Sequence, residues 1–256
     1  KRMADELLTG LERDEFTVWY QPQFETASTK VFGAEALVRW NHPDRGVLAS
    51  GHFLKVAEEL NVMARIDQIV LERALRDQMR WTALGVTVPR ISVNVSSKRL
   101  HDATLVEQLH GLSISPGTIC FELVESIFLD ESDDVVTENI ERIKGLGIDI
   151  EIDDFGTGHT SILSLLRLKP KRLKIDRQLV MPITNSPQER ALVRSIIEIA
   201  RSLGVETVAE GVESLDHAGL LRQLGCDFLQ GYAFAKPLPF EEFTRFTRGY
   251  PQRKAS

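Results

Sequence analysis

Short runs rich in β-forming residues alternate with longer amphipathic helical stretches along the whole of this chain. Eight runs are typical of strands, at 16–24, 31–40, 90–96, 118–126, 148–155, 172–176, 206–212 and 227–234. Helical patterns fill most of the intervals, and four of them end on a glycine, at 62–85, 133–147, 187–204 and 215–225. Eight strands with intervening helices in 256 residues predict an α/β fold of the TIM (β/α)8 barrel type.

The segment between the first two strands departs from this alternation. Residues 25–30 are too few for a crossover helix, so we expect an antiparallel hairpin and a first strand that runs against the others. The prediction is therefore a modified TIM barrel. No linker, repeat or second domain interrupts the pattern, and we expect one domain over 1–256 with its core at about 6–245. The chain starts at Lys1 without a methionine, so we expect it to be part of a longer protein.

Composition excludes several classes of protein. A formal net charge of -6 gives no general attraction to nucleic acid or to an anionic membrane surface. The sequence contains neither an apolar run long enough to span a bilayer nor a signal peptide, so we expect a cytoplasmic domain with no membrane contact of its own. Cys120 and Cys226 lie in apolar surroundings and predict two buried free thiols.

Polar side chains recur near the carboxyl ends of most strands, where a barrel interior is normally apolar. These residues are Glu35, Arg39, Asn94, Glu122, Asp153, Asp154, Lys174, Asp176, Glu210 and Gln230. Taken singly, an acid at a strand end is more often a helix N-cap or a solvated loop group. Caps would be scattered over both ends of the barrel, whereas these residues share the end at which barrel active sites lie. We therefore interpret them as one site.

Several carboxylates buried in one mouth require cations to offset their charge. Oxygen ligands suit Mg²⁺ or Mn²⁺, and the six histidines show no metal-ligand spacing. Two such ions, bridged by a carboxylate such as Asp153, would activate a water for in-line attack at phosphorus. A phosphodiester is therefore the expected class of substrate.

The acidic run 151–154 raises a question of register. Glu151 and Asp153 share a strand face by simple alternation, whereas Asp154 faces the other way. Both aspartates can reach the same ions only if the strand ends or twists between them, which the glycines after Phe155 permit. Glu151 lies deeper on the inward face, and we assign it no catalytic role.

Ordered motifs give the chain a resemblance to the EAL domain, the bacterial cyclic di-GMP phosphodiesterase module. The similarity runs from about Glu6 to Phe240 and rests on eight motifs in the family's order: YQP (20–22), EALVRW (35–40), NVS (94–96), FELVES (121–126), DDFGTG (153–158), LKID (173–176), AEGVE (209–213) and QGY (230–232). The resemblance implies hydrolysis of cyclic di-GMP to linear pGpG by an activated water with two Mg²⁺ or Mn²⁺ ions. It also implies a homodimer, and a sensory or GGDEF domain in the full-length protein.

The resemblance further implies a role for each matching residue. The metal ligands would be Glu35, Asn94, Glu122, Asp153, Asp154 and Glu210. The catalytic residues would be Lys174, Glu35, Asp176 and Glu210. The substrate contacts would be Gln21, Leu37, Arg39, Asp176, Gln230 and Glu213, and Glu125 would anchor the loop at 155–161. Lys174 would position or deprotonate the attacking water, because two adjacent cations would lower its pKa.

Two other functions stay open at this point. The first is a non-catalytic cyclic di-GMP receptor, although receptors of this family usually lack some of the ligands that are present here. The second is a Mg²⁺-dependent barrel enzyme that uses Lys174 as the base of enolate chemistry. Two departures from the family pattern, Val124 in place of threonine and His159 in place of tyrosine, remove no ligand and leave open the mobility of the loop and the expected dimer contact.

Overall fold

A computed structural model describes residues 2–124, 134–156 and 162–250. Within them lie ten strands: β1 (Phe16–Glu25), β2 (Val31–His42), β3 (Gly46–Ala49), β4 (Ile91–Asn94), β5 (Ile119–Val124), β6 (Asp149–Phe155), β7 (Arg172–Ile175), β8 (Glu206–Ala209), β9 (Phe228–Leu229) and β10 (Leu238–Pro239). Strands β1, β2 and β4 to β9 pair in succession and close a barrel, because β1 pairs with both β2 and β9. The predicted (β/α)8 barrel is confirmed.

Helices surround the barrel. They are α1 (Arg2–Glu12), α2 (Leu54–Glu59), α3 (Met63–Ala83), α4 (Ser97–Leu100), α5 (Leu105–His110), α6 (Asp134–Gly145), α7 (Ile162–Leu168), α8 (Arg177–Val180), α9 (Pro187–Ser202), α10 (Leu215–Leu224) and α11 (Phe240–Gly249). The four helices expected from their apolar spacing are α3, α6, α9 and α10, each within two residues of the predicted bounds. Each is followed by the expected glycine at positive φ: Gly85, Gly147, Gly204 and Gly225.

The first strand runs antiparallel to its neighbours, as the short 25–30 segment predicts. β1 and β2 form a hairpin that pairs Phe16 with Trp40 and Phe24 with Val31. β1 is also antiparallel to β9, whereas the remaining barrel pairs are parallel. The barrel is therefore mixed at one strand only among the residues that the structure describes.

The last two barrel strands are shorter than the sequence predicts. β8 was expected to reach residue 212 but ends at Ala209, because the chain turns at Gly211 with φ +64°. β9 has two residues in place of the predicted 227–234. A Cβ on Gly231 would lie 2.2 Å from the backbone oxygen of Val212, so the chain leaves the strand there in close backbone contact. Two strands that were not predicted from the sequence, β3 and β10, extend the sheet beyond the barrel.

The apolar core lies between the barrel and the helices. Outward strand residues such as Phe121, Ile152 and Ile175 are fully buried in it, while their inward neighbours are polar. Cys120 and Cys226 are buried free thiols, as predicted. Among the helices of the described ranges, none combines the length and the apolar character that crossing a bilayer demands.

Candidate active site

Lys174 is at the centre of a cluster of side chains at the carboxyl end of the barrel. Its side chain is fully buried. Its Nζ lies 2.7 Å from Glu210 Oε1, 2.9 Å from Glu122 Oε2, 3.1 Å from Asp153 Oδ1 and 3.5 Å from Glu35 Oε2. Four carboxylates thus surround the ammonium group of Lys174 on β7: Glu35 lies in the middle of β2, Glu122 and Asp153 lie near the carboxyl ends of β5 and β6, and Glu210 directly follows β8.

Amide side chains hold the carboxylate of Glu35. Asn94 Nδ2 donates to Glu35 Oε1 over 3.0 Å, and Gln230 Nε2 donates to Glu35 Oε2 over 2.6 Å. Gln230 also contacts Gln21 Oε1 at 3.2 Å and accepts a hydrogen bond from Gln23 Nε2 at 2.9 Å. Gln23 was not among the site residues predicted from the sequence, although its place two residues after Gln21 puts it on the same strand face.

A β-bulge brings both aspartates of β6 to the mouth. The pairing of β6 with β7 is regular up to Ile152, shifts, and resumes at Phe155. Asp154 lies in the shifted segment with φ +55°, a left-handed conformation that is uncommon outside glycine. Gly156 follows with φ +99°. The twist that the sequence required between Asp153 and Asp154 is therefore present.

The charges of the cluster alter its proton affinities. Burial alone would lower the pKa of Lys174, but the carboxylates around it, Asp153 foremost, raise that pKa well above its usual range. Burial raises the pKa of Glu122 well above its usual range and that of Glu210 to about 8. For Glu35, Lys174 and two amide hydrogen bonds outweigh burial and lower the pKa. Lys174 is therefore an ammonium ion here, and a lowered pKa in the presence of cations stays a prediction.

Asp176 combines a structural contact with a place at the rim of the cluster. Its Oδ1 accepts a hydrogen bond of 2.6 Å from the backbone N–H of Gln178, so it is the N-cap of α8. Burial, then Asp153, then Asp176 raise the pKa of Asp154 to about 6. Asp176 is thus close enough to Asp154 to disfavour the ionised form of the Asp154 carboxyl group.

The donor set fits a hard divalent cation. Asp153, Asp154 and Glu210 each offer a carboxylate oxygen within 4.8 Å of the others. Glu122 Oε1 is buried and has no hydrogen-bond donor among the described residues. An unsatisfied buried carboxylate oxygen is unfavourable by more than about 1 kcal/mol, and a bound cation would remove that cost. These acidic residues could therefore bind a metal, and oxygen ligands suit Mg²⁺ or Mn²⁺.

Two clefts adjoin the cluster, and Glu35 and Leu37 line both of them. The smaller, of about 170 Å³, is also lined by Gln21, Arg177, Glu210, Gly211, Glu213, Gln230, Gly231 and Tyr232. The larger, of about 530 Å³, has an apolar wall that includes Leu54, Met63, Ile66 and Val70. Tyr232, which belongs to the QGY motif but was not predicted as a site residue, is 60% exposed at the rim of the smaller cleft.

Arg39 lies near the cluster but is held by its own strand. Its Nη1 donates to the backbone oxygen of Val38 over 2.8 Å, and its guanidinium lies 5.4 Å from the centre of the Trp19 ring.

Two other residues singled out in the sequence, Glu125 and His159, lie outside the described residues. Val124 ends β5, is 37% exposed and lines the larger cleft.

Comparison with known proteins gives a consistent result. The family model described as EAL domain matches residues 4–237. The cyclic di-GMP phosphodiesterase NbdA of Pseudomonas aeruginosa is 36% identical over 253 residues, which are 97% of this chain and 32% of NbdA. The cyclic di-GMP phosphodiesterase PdeR of Escherichia coli K12 is 34% identical over 251 residues, which are 96% of this chain and 38% of PdeR. The chain thus spans about a third of the length of these curated relatives.

A solved structure agrees with the family match. The PaMucR phosphodiesterase in complex with c-di-GMP superimposes with a TM-score of 0.89 and 33% sequence identity. The alignment covers 95% of this chain and 100% of that one. The likeness therefore extends over the whole barrel.

Proposed function

This chain belongs to the EAL domain family, and from that premise we propose that it is a phosphodiesterase that hydrolyses cyclic di-GMP to linear pGpG. The observation that supports this most strongly is the cluster of carboxylates around Lys174. Four carboxylate groups lie within 4 Å of one buried ammonium, and Glu122 Oε1 remains without a donor among the described residues. Such a donor set suits divalent cations at the end of the barrel where catalysis takes place.

Six residues would hold two Mg²⁺ or Mn²⁺ ions in this proposal: Glu35, Asn94, Glu122, Asp153, Asp154 and Glu210. When bound, the cations would make a water more acidic and offset the charge on the phosphate oxygens. Asn94 supports this assignment because its Nδ2 already donates to Glu35, which leaves its Oδ1 available as a neutral ligand. Glu35 and Glu210 would thereby serve both as ligands and as catalytic residues.

Lys174 would handle the proton of the attacking water. Its Nζ is buried beneath the mouth, so it can reach a nucleophile there while bulk water is excluded. As an ammonium ion, Nζ would orient that water by donating to it, and as a neutral amine, after releasing a proton, it would take the proton of the water, with Asp176 at the rim next to it. Any positive charge placed among the carboxylates lowers the proton affinity of Nζ, because it offsets the groups that raise the pKa of Lys174.

The two clefts would seat the two nucleoside halves of the substrate. They meet at Glu35 and Leu37, so a cyclic dinucleotide placed over the cluster extends into both. Gln21, Gln230 and Glu213 line the smaller cleft and offer polar contacts for a guanine or a phosphate. We also assign substrate binding to Leu37, Arg39 and Asp176. Glu125 would anchor the loop at 155–161.

The chain would act as a single catalytic domain of a larger protein. We propose that this protein carries a sensory or GGDEF domain in addition and that the catalytic domain pairs as a homodimer. The curated relatives are about three times as long as this chain, which leaves room for such domains in them.

Incubation of the purified chain with cyclic di-GMP tests the proposal. We expect complete conversion to pGpG with Mg²⁺ and no conversion with EDTA. Anion-exchange chromatography separates substrate from product and measures the conversion. Binding of cyclic di-GMP without product in Mg²⁺ or Mn²⁺ would instead establish the receptor function. If the chain neither binds cyclic di-GMP nor forms pGpG, the phosphodiesterase function and the receptor function are both excluded.

A further inference from the structure

A second buried charged layer lies directly below the acidic cluster. Glu151 is the inward residue below Asp153 on β6, and Arg172 is the inward residue below Lys174 on β7. Both side chains are at most 1% exposed, and Arg172 Nη1 donates to Glu151 Oε1 over 2.6 Å. This contact accounts for the inward acid at position 151.

Neighbouring strands hold the acidic end of this pair. Ser92 Oγ on β4 donates to Glu151 Oε2 over 3.0 Å, and Arg90 Nη1 lies 3.8 Å from Glu151 Oε1. Arg90 also donates to Asp149 Oδ2 over 2.9 Å. Glu151 is therefore fixed from β4 as well as from β7.

The basic end is equally constrained. Arg172 Nε lies 3.1 Å from Glu206 Oε2, and the guanidinium lies 4.8 Å from the ring centre of Phe32 and 5.5 Å from that of Phe228. These two rings stack on each other at 3.9 Å. Arg172 thus has one defined position inside the barrel, from which it can locate Glu151.

The pair sits where the register of the strands changes. Glu151 pairs with Arg172 in the β6–β7 ladder, the next residue Ile152 still pairs with Leu173, and the register shifts between Ile152 and Phe155. In that shift Asp153 and Asp154 together oppose Lys174. A bulge interrupts the hydrogen-bond ladder between two strands. Backbone pairing alone therefore determines only weakly at which position of β6 the extra residue is inserted. A side-chain contact just below it can supply the missing constraint.

Stability alone gives little reason for such a pair. Replacing a buried ion pair with apolar side chains of similar volume is often neutral or stabilising, because burying charge is costly. Specifying one arrangement among several is the better-attested effect of such pairs. Here the arrangement to be specified is the placement of two aspartates against one lysine.

We propose that Glu151 and Arg172 are positioning residues for the metal site. Their ion pair fixes β6 against β7 below the bulge, and so sets the distance from the carboxylates of Asp153 and Asp154 to Lys174 Nζ. The proposal rests on the proposed function, because it takes these aspartates as ligands. Its consequence is that metal affinity depends on two residues that touch no metal.

The double variant Glu151→Leu with Arg172→Met tests this inference. We expect a melting temperature close to that of the unaltered chain, but Mn²⁺ affinity weaker by about 10- to 100-fold, as for other supporting residues of metal sites. Mn²⁺ binding is measured by electron paramagnetic resonance in the absence of substrate. In Glu151→Gln, the amide oxygen can still accept from Arg172 and the amide nitrogen can donate to Ser92 Oγ, so this variant should bind Mn²⁺ within about threefold of the unaltered chain.

Thr244→Val is the matched control, because it removes a buried hydrogen bond of 2.8 Å from Trp81 Nε1 that lies outside the site. It should lower the melting temperature and leave Mn²⁺ affinity unchanged. Unchanged Mn²⁺ affinity in the double variant would overturn the inference, as would its failure to fold, which would make the pair structural. If the unaltered chain binds Mn²⁺ but makes no pGpG, the proposed function fails while the positioning role stands.

Discussion

Lys174 shows how one residue can hold a densely acidic site together. Its ammonium contacts four carboxylates, which lie on β2, β5 and β6 or directly after β8; the distance is 2.9 Å for Glu122 and 2.7 Å for Glu210. The same contacts keep Lys174 protonated, since they raise its pKa. In the proposed reaction this group must handle a proton, so its role depends on the charge around it.

Lys174→Met should therefore abolish turnover while retaining the barrel. We expect the rate of pGpG formation to fall by about 100- to 10,000-fold, the usual contribution of a general acid or base. Initial rates across the pH range measure this, with circular dichroism to verify folding. Lys169→Met, an exposed lysine near the opposite end of β7, is the control and should retain full activity. Near-normal turnover in Lys174→Met would exclude the assigned role.

Glu210 gives the metal-free protein a characteristic dependence on pH. Burial raises its pKa in the folded protein from 4.5 to about 8, although Lys174 opposes the shift. The folded protein then binds this proton more tightly than the unfolded chain, so the stabilisation is complete below about pH 4.5 and is lost as pH rises toward 8. In EDTA, the melting temperature of Glu210→Gln should fall less steeply over that range than that of the unaltered chain. Equal slopes would contradict the shift.

At the level of elements, the end of the barrel depends on one very short strand and on a close backbone contact beyond it. β9 spans only Phe228–Leu229, and the chain then passes Val212 so closely that Gly231 has no room for a side chain. Gln230, which contacts Glu35, lies between these two features. Backbone contact at Gly231 therefore places a side chain of the site.

Gly231→Ala should destabilise the protein and impair the site together. A methyl group 2.2 Å from the backbone oxygen of Val212 forces the chain to move, and we expect a loss of about 2 kcal/mol or more in the free energy of unfolding. Urea denaturation measures this. Gly219→Ala is the control, because nothing lies within 4 Å of its added methyl group in α10, and it should stabilise by about 0.5–1 kcal/mol. Destabilisation of both variants to the same degree would refute the close-contact account.

The strands and helices can be predicted from the sequence more completely than the side-chain contacts between them. The hydrophobic periods, the terminal glycines and the short 25–30 segment predict the barrel and its antiparallel strand, because each is a local signal. Alternation along β1 puts Gln23 on the same face as Gln21, but its contact with Gln230 and the partner of Glu151 could not be predicted in that way, since the register of distant strands decides which inward residues meet. The bulge at Asp154 is intermediate, because the need for a twist was evident from alternation but its left-handed backbone was not.

In the molecule as a whole, two buried regions differ in character: the layer between the barrel and its helices, and the inside of the barrel. An apolar layer joins strands to helices, whereas the inside of the barrel holds charged and amide groups in two levels. The upper level, around Lys174, faces the clefts, and the lower level contains Glu151 and Arg172. The outer layer therefore supplies the stability that allows the inside to be specialised for charge.

Cation binding should accordingly stabilise the entire domain. A ligand that binds only the folded state at 100 times its dissociation constant adds about 2.7 kcal/mol. We expect saturating Mg²⁺ to raise the melting temperature by about 5–10 °C over that in EDTA. Calorimetry measures the shift, and Asp154→Asn should show less than half of it. An identical melting temperature with and without Mg²⁺ would contradict a cation site in the cluster.

The most direct test of the account is the Mg²⁺ dependence of pGpG formation by the unaltered chain and by Asp153→Asn. Asp77→Asn is the matched control, because it alters a carboxylate outside the site that accepts a hydrogen bond from the Tyr20 hydroxyl. We predict no turnover without a divalent cation, saturation with Mg²⁺ for the unaltered chain and the control, and a loss of at least about 100-fold for Asp153→Asn. Equal turnover by Asp153→Asn at saturating Mg²⁺, or turnover in EDTA, would contradict a metal-dependent phosphodiesterase site in this cluster.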